Sequence, residues 1–314
     1  MTTPSSPLHV AICIVGYRNA DDIVRCLAAL ARTDYPHFEV VICENGGPEA
    51  YAQLAAVLPE ALPGGQPVTA ILAPGNLGFA GGVNVCLAAA PPENAPPAGA
   101  WWILNPDTEP YPDALARLVQ RLAEGDCDAV GHTLHLPSGQ VQSHGGRWQP
   151  WLARAISIDH GTPLAPAPDP ARIERRQNYL NGASMLVSRR FVETAGPLRE
   201  DYFLYCEEVE WCLRAQRAGL TLGFAPGALV LHHQGTTTGN RGDLARKTRP
   251  PVYLNERNKL LLTRDLYPAR LPLAAPATLA ITLARYARRR AWRQLGYALE
   301  GWSAGLAGQR GPLT

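Results

Sequence analysis

Trp101-Trp102-Ile103-Leu104-Asn105-Pro106-Asp107-Thr108-Glu109-Pro110 decides how the rest of the chain is read. A short apolar run stops abruptly in two acids bracketed by prolines. Proline has no N–H for a sheet ladder, so the run reads as a central strand that ends before Pro106. Asp107 and Glu109 are then displayed at the strand's C-terminal edge, where open α/β sheets bind ligands. Two carboxylates on one turn can converge on Mg²⁺ or Mn²⁺, which accept oxygen ligands and fill their shells from substrate phosphates. The alternative is an acidic surface turn, and the pair alone does not choose between them.

Upstream, His9–Tyr17 is a continuous apolar run, as in a strand buried on both faces of a parallel sheet. Asp21–Leu30 has helical spacing with two acids in its first turn, where the helix dipole favours them. Phe38–Cys43 is a second strand ending in Glu44-Asn45-Gly46-Gly47, Tyr51–Leu58 a short helix, and Val68–Leu72 a third strand. This alternation predicts a doubly wound, mostly parallel sheet flanked by helices. Pro74–Asn84 is rich in glycine and reads as a loop before a helix over Val83–Ala90. Such a loop lets backbone approach a phosphate, but it is neither a P-loop nor a dinucleotide fingerprint, and a structural turn is the alternative.

Downstream, Pro112–Glu124 is a helix, Asp128–Gly131 begins a strand, and Thr133–Trp148 reads as a hairpin around Pro137-Ser138-Gly139. Gly161–Pro170 is a proline-rich loop expected to be mobile. Tyr179–Arg190 is a strand with small residues at its entrance, suited to flooring an acceptor pocket or simply to close packing. Asp201–Arg214 runs from an aromatic segment into a helix whose first turn holds Glu207, Glu208 and Glu210. At about 100° per residue these acids cannot share one role. Glu208 falls on the stripe of Cys212, Ala215 and Gly219, expected to face inward at the mouth of a crevice, whereas Glu207 falls on that of Trp211 and Ala218. Glu210 and Arg214 are expected to form an exposed i,i+4 pair. His232-His233-Gln234-Gly235 follows a strand-like segment, and an imidazole there can complete a site begun by carboxylates.

The whole chain sets bounds. Its 314 residues and 46% hydrophobic content are those of a globular protein, and a net charge of +2 implies no nucleic-acid partner. Seven cysteines without a CxxC pair suggest reduced, buried thiols in a cytoplasmic protein. No apolar run approaches the ~20 residues of a spanning helix, and no signal peptide is expected. The tail differs. Tyr253–Leu262 is an amphipathic helix, Leu271–Ala284 is apolar, and Arg285, Arg288, Arg289, Arg290 and Arg293 crowd a segment with Tyr286, Trp292 and Tyr297. A basic amphipathic helix with aromatics reads as an anchor at an anionic membrane surface, a helix packed on the domain being the alternative.

Taken together the motifs resemble those of inverting family-2 glycosyltransferases with the GT-A fold, most closely the bacterial rhamnosyltransferase-like group. The matching stretches are Val15–Asn19, Glu44–Gly46, Asn76–Asn84, Asn105–Glu109, Asn181–Ala183, Glu207-Glu208 with Glu210, His233–Thr236 and Glu256–Leu260, spanning Val10 to Arg264. The resemblance implies a catalytic domain over 1–250 and a helical extension over 251–314. It implies donor contacts at Tyr17, Asn19, Glu44, Asn76, Gly78, Phe79, Gly81, Asn84 and Asp107, and acceptor contacts at Asn181, Gly182, Ala183 and Glu207. It places a Mn²⁺ or Mg²⁺ site at Asp107, Glu109 and His233, and makes Glu208 the general base beside Glu207. The family usually has Asp where Glu44 and Glu208 stand, and the extra methylene moves each carboxylate outward.

The implied activity is metal-dependent transfer of a sugar from a nucleotide-sugar to a hydroxyl of a cell-surface glycan or glycolipid, with dTDP-rhamnose the first choice of donor. Galactofuranosyl or other hexosyl transfer is the nearest alternative. A non-catalytic nucleotide-sugar-binding module and a nucleotidyltransferase are more distant ones. Implied partners are the donor, the acceptor, an anionic membrane surface at the inner face of the cytoplasmic membrane, and a second copy in a homodimer.

Overall fold

The computed structural model describes residues 7–91, 96–233 and 244–313. The 234–236 part of the histidine motif and the centre of the Pro91–Pro97 connector lie outside them. Strands β1 (Val10–Gly16), β2 (Phe38–Glu44), β3 (Val68–Leu72) and β4 (Ala100–Leu104) alternate with helices α1 (Ala20–Leu30), α2 (Pro48–Ala55) and α3 (Gly78–Ala88). Then come β5 (Thr108–Pro110), α4 (Ala114–Ala123), β6 (Ala129–His135), β7 (Val141–Ser143), β8 (Gly146–Gln149) and β9 (Arg154–Ser157). The chain continues through α5 (Pro170–Arg176), β10 (Ser184–Ser188), α6 (Arg189–Ala195), α7 (Glu207–Arg217) and β11 (Leu222–His232). Three helices follow: α8 (Arg249–Leu266), α9 (Leu271–Arg288) and α10 (Trp292–Ala307).

The main sheet runs β3-β2-β1-β4-β10-β6-β11-β5, with β7 on β6. β3, β2, β1 and β4 are mutually parallel, as is the pair β6–β11. β10 lies antiparallel between β4 and β6. The doubly wound, mostly parallel sheet is thus as expected, with one reversed strand at its centre. Alternate residues of the buried strands feed two cores: Ile12, Ile14, Ile42, Trp102 and Leu104 face α1 and α4, whereas Ile103, Met185 and Val187 face α3 and α7. At the centre the Trp102 indole N–H donates to Ser184 Oγ at 2.8 Å, tying β4 to β10.

Several local expectations change. The glycine-rich segment is not a loop: Gly78 opens α3 directly. Thr108–Pro110 forms a short edge strand on β11, where Pro110 is tolerated because it needs no ladder donor. The hairpin is confined to β6–β7, since β8 pairs with β9 instead. The start of the proline-rich loop is pinned, with Val141 N donating to Thr162 O at 2.8 Å. The arginines do not share one helix either. They surround the turn between α9 and α10.

Candidate active site

The C-terminal ends of β1, β2 and β4 open onto a cleft of about 970 Å³. Val15 and Tyr17 come from β1 and the turn after it, Asn45 from the turn after β2, and Asn76, Gly78 and Phe79 from the entrance to α3. Asn105, Pro106 and Asp107 leave β4, while Asn181, Gly182 and Ala183 precede β10. Phe203–Tyr205, Glu207 and Glu208 form the facing wall. His232 adds the end of β11, and the C-terminal part adds Thr248 with the apolar Pro250, Pro251, Leu254, Pro312 and Leu313. The helices from Arg249 on therefore complete the cleft.

α7 is held at the cleft by an unusual backbone. Phe203, Tyr205 and Cys206 have φ of 67°, 74° and 70°, left-handed conformations that non-glycine residues rarely adopt. Asn258, fully buried on α8, donates its amide to the carbonyls of Tyr202, Leu204 and Tyr205 at 2.9, 2.8 and 2.8 Å. Arg257 donates to Tyr202 O and Gly311 O and braces Asn258 Oδ1. On the other side, Phe79 N donates to Phe203 O at 2.8 Å. Gly78 (φ +70°) fits only because it lacks a Cβ, which would fall 2.1 Å from that same oxygen.

This frame presents Glu207 and Glu208. Glu207 is 3% exposed, and Oε2 of each has no hydrogen-bond partner among the described residues. Burial raises both pKa values above the ordinary carboxylate range, Glu207 further because it also faces Glu208's charge. A Cβ at Gly182 would lie 3.1 Å from Glu208 Cγ, so the glycine lets Glu208 lean on the β10 entrance. Nearly the whole of α7 is buried: Glu208 meets the cleft as its stripe with Cys212 and Ala215 implies, and Glu207, on the buried Trp211 side, lines the cleft as well. Glu210 is likewise buried, so its pair with Arg214 (2.9 Å) is structural and not exposed.

Also in the cleft lining, Asp107, 6% exposed, faces His232, whose Nε2 lies 3.2 Å from Asp107 Oδ1. Gln142 Oε1 is 2.8 Å from His232 Nδ1, which makes Nδ1 the donor there and turns Nε2 to the carboxylate. Glu109 and His233 pair with each other instead, at 2.7 Å, outside the cleft lining. The expected Asp107–Glu109–His233 triad therefore does not converge. Asp107 sits in the turn before β5, Glu109 within it, and among the described residues no three His, Cys, Asp or Glu side chains are placed to hold a metal. The sequence leaves open which histidine of the pair meets the carboxylates, the resemblance implying His233, and it is His232 that faces Asp107. The alternation of buried Ala228, Val230 and His232 along β11 was the available signal.

Of the other candidates, Tyr17, Asn76, Gly78, Phe79, Asn181, Gly182 and Ala183 line the cleft. Glu44 does not: its carboxylate is 1% exposed and accepts from Arg18 N (3.0 Å) and Gly46 N (2.7 Å), stapling two turns together. Asn45 takes its place, donating to Gly78 O at 2.9 Å. Asn19 accepts from Tyr17 N, Asn84 ties α3 to Leu198 and Glu200, and Gly81 packs on Leu77; all three act behind the lining.

The model of the family described as glycosyl transferase family 2 matches residues 11–164. The N-acetylglucosaminyl-diphospho-decaprenol L-rhamnosyltransferase of Mycobacterium tuberculosis is 28% identical over 242 residues, 72% of this chain and 76% of that protein. Two solved structures share the fold. One is GalNAc-T7 with UDP, GalNAc and Mn²⁺ (TM-score 0.62, 14% identity), where 83% of this chain covers 48% of that one, about half its length. The other is the mannosyltransferase PcManGT from Pyrobaculum calidifontis with GDP-Man and Mn²⁺ (TM-score 0.57, 17% identity), covering 98% of this chain and 90% of that one.

Proposed function

Since this chain is a family 2 glycosyltransferase with the GT-A fold, we propose that it transfers one sugar, with inversion, from a nucleoside-diphosphate sugar to a hydroxyl of a lipid-linked glycan. What carries this reading is the cleft itself, whose lining brings together Asp107, His232 and the Glu207–Glu208 pair. The mycobacterial relative's name makes a nucleotide-rhamnose the first donor to try, dTDP-rhamnose being the one the family resemblance implies, and a lipid diphosphate-linked sugar the first acceptor.

The residues present fit a divalent cation. The buried Nε2 of His232, without a hydrogen-bond partner among the described residues and 3.2 Å from a carboxylate, is favourable only with a proton or a cation between the two. Asp107 and His232 would hold Mn²⁺ or Mg²⁺, leaving its other positions to donor phosphates and water. When bound, the ion neutralises charge developing on the departing diphosphate. The N-terminus of α3 reaches the cleft at Gly78 and Phe79 and adds a positive helix end for the diphosphate.

Glu208 acts as the base. Its carboxylate takes the acceptor hydroxyl's proton as that oxygen bonds to the anomeric carbon. The bond from that carbon to the diphosphate breaks on the opposite face, and the configuration inverts. Glu207, more deeply buried beside it, orients the acceptor. Raised pKa values bring such a base closer to neutrality, where general-base catalysis is most effective.

The test is a donor screen by mass spectrometry with dTDP-rhamnose, UDP-galactofuranose, UDP-glucose and GDP-mannose, each with and without EDTA. Transfer from one donor, lost in EDTA and restored by Mn²⁺ or Mg²⁺, is expected. Full transfer in EDTA would remove the metal from this reading, and hydrolysis with no transfer to any lipid-linked acceptor would remove the acceptor class.

A further inference from the structure

The exposed face of α9 is apolar. Pro272, Leu273, Pro276, Ala280, Ile281, Leu283 and Ala284 face solvent, with Leu273 59% and Leu283 41% exposed. The helix's two threonines point the other way. Thr278 donates to the Ala274 and Ala275 carbonyls, and Thr282 donates to Glu256 of α8 at 3.1 Å. A helix in water turns polar residues out and apolar residues in, so α9 is inside-out. Beside it is an apolar groove of about 370 Å³ between α9 and α10, with Leu271, Ala275, Leu279, Trp302 and Leu306 among its lining.

Charge says what covers this face. α9 ends among Arg285, Arg288, Arg289 and Arg290, and α10 begins with Trp292, 62% exposed, and Arg293. All five arginines are exposed, and among the described residues none makes an ion pair. No Asp or Glu occurs between Asp265 and Glu300. An apolar helix face ending in arginines and an exposed tryptophan matches the interface of a bilayer with anionic headgroups. No helix among the described residues is long and apolar enough to cross a membrane, so the helix lies in the interface.

We infer that the α9 face and the α9–α10 turn dock on an anionic lipid bilayer: Leu273, Ile281, Leu283 and Trp292 enter the acyl boundary, the five arginines meet the headgroups, and the groove receives a hydrocarbon chain. α9 packs on α8, which carries Pro250, Pro251 and Leu254 in the cleft wall. Docking there would hold the cleft beside the bilayer. The inference rests on this surface alone and needs nothing from the reading of the cleft.

Co-sedimentation of the full chain with phosphatidylglycerol–phosphatidylcholine vesicles, against pure phosphatidylcholine vesicles, tests it without any activity assay. Binding to the anionic vesicles that weakens with salt is expected. The exposed triple variant Leu273→Glu/Ile281→Glu/Leu283→Glu should lose binding while keeping the wild-type circular dichroism and urea midpoint. Replacing each arginine by glutamine should weaken binding about fivefold. Quenching of tryptophan fluorescence by brominated phosphatidylglycerol should disappear mostly with Trp292→Ala. Full-length protein that ignores anionic vesicles would overturn the inference, as would a folded triple variant that binds as wild type does. A dimer that the triple variant turns into a monomer, in a protein that ignores vesicles, would assign the face to a second copy.

Discussion

Asn258→Ala should loosen the cleft without touching any group that meets substrate. The amide of Asn258 feeds three carbonyls of a loop in which Phe203, Tyr205 and Cys206 hold left-handed φ. Such residues cost about 1–3 kcal/mol each and persist only where their surroundings hold them. Removing the amide forfeits two to three hydrogen bonds at roughly 1 kcal/mol net apiece, with about 1–3 kcal/mol more for a carbonyl left buried without a partner. Tyr202 O keeps Arg257 as a donor at 3.0 Å, and the half-buried Leu204 and Tyr205 can recruit water. The loss should therefore be on the order of 3 kcal/mol, read as a lower urea midpoint at unchanged slope by tryptophan fluorescence. Relaxation of the loop shifts the start of α7, and misplacing the base by about an ångström costs roughly a hundredfold in kcat/KM. Asn258→Asp keeps the acceptor for Arg257 but turns the donor into a buried acceptor, and should be no better. A variant within about 0.5 kcal/mol of wild type with intact kcat/KM would show that the loop's shape is intrinsic and not held by Asn258.

Glu208→Gln should lower transfer by two or more orders of magnitude with nucleotide-diphosphate affinity nearly unchanged, and Glu207→Gln should lose less; single-turnover kinetics and calorimetry read both. The same pair makes a pH prediction. Groups whose folded pKa is raised stabilise the fold fully below the unfolded value of 4.5 and lose that contribution as pH rises through the folded value, so Glu207→Gln should raise the urea midpoint at pH 8. Glu39, pushed up to about 7 by burial, behaves alike: Glu39→Gln should stabilise by up to about 3 kcal/mol at pH 8 and by nothing at pH 4. His232→Ala should weaken metal-supported donor binding at least tenfold, whereas His233→Ala should cost less; calorimetry with Mn²⁺ giving the reverse order would restore the Glu109–His233 side. Gly78→Ala should fail to fold at the cleft, since its methyl would fall 2.1 Å from the Phe203 carbonyl, and a soluble, active variant would refute that.

Much of this architecture is legible in the chain because parallel strands announce themselves as unbroken apolar runs, as at Val10–Gly16 and Phe38–Glu44. The family resemblance then singles out a set of residues, most of which come together in one cleft. What the sequence hides is direction. Glu44 and Asn45 are neighbours, yet one turns inward to staple backbone and the other lines the cleft, because Gly16 and Gly46 open a berth for the Glu44 carboxylate. His232 and His233 are separated by the pleat, whose phase depends on how β11 registers with β5 and is set by pairing remote in sequence. Periodicity also says little about how Glu207 and Glu208 divide their roles: it ranks helix faces only when one of them meets water, and α7 is enclosed nearly all round. The motif around Arg257 and Asn258 reads as an amphipathic helix, and nothing local says that its buried polar residues exist to hold a loop fifty positions earlier.

The reversed central strand also has a consequence for synthesis. β3, β2, β1 and β4 are complete as a parallel sheet once Leu104 has emerged, but the free side of β4 is filled only by β10, whose Ser184 meets a Trp102 made 82 residues before it. At about 5–20 residues per second, translation leaves that edge without its neighbour for roughly 4–16 s. During this interval the Trp101–Leu104 segment presents unpaired backbone and two indoles, the kind of edge along which nascent chains pair with one another. A long delay before a distant strand arrives also slows refolding from denaturant, because the loop must close before the central ladder rewards it.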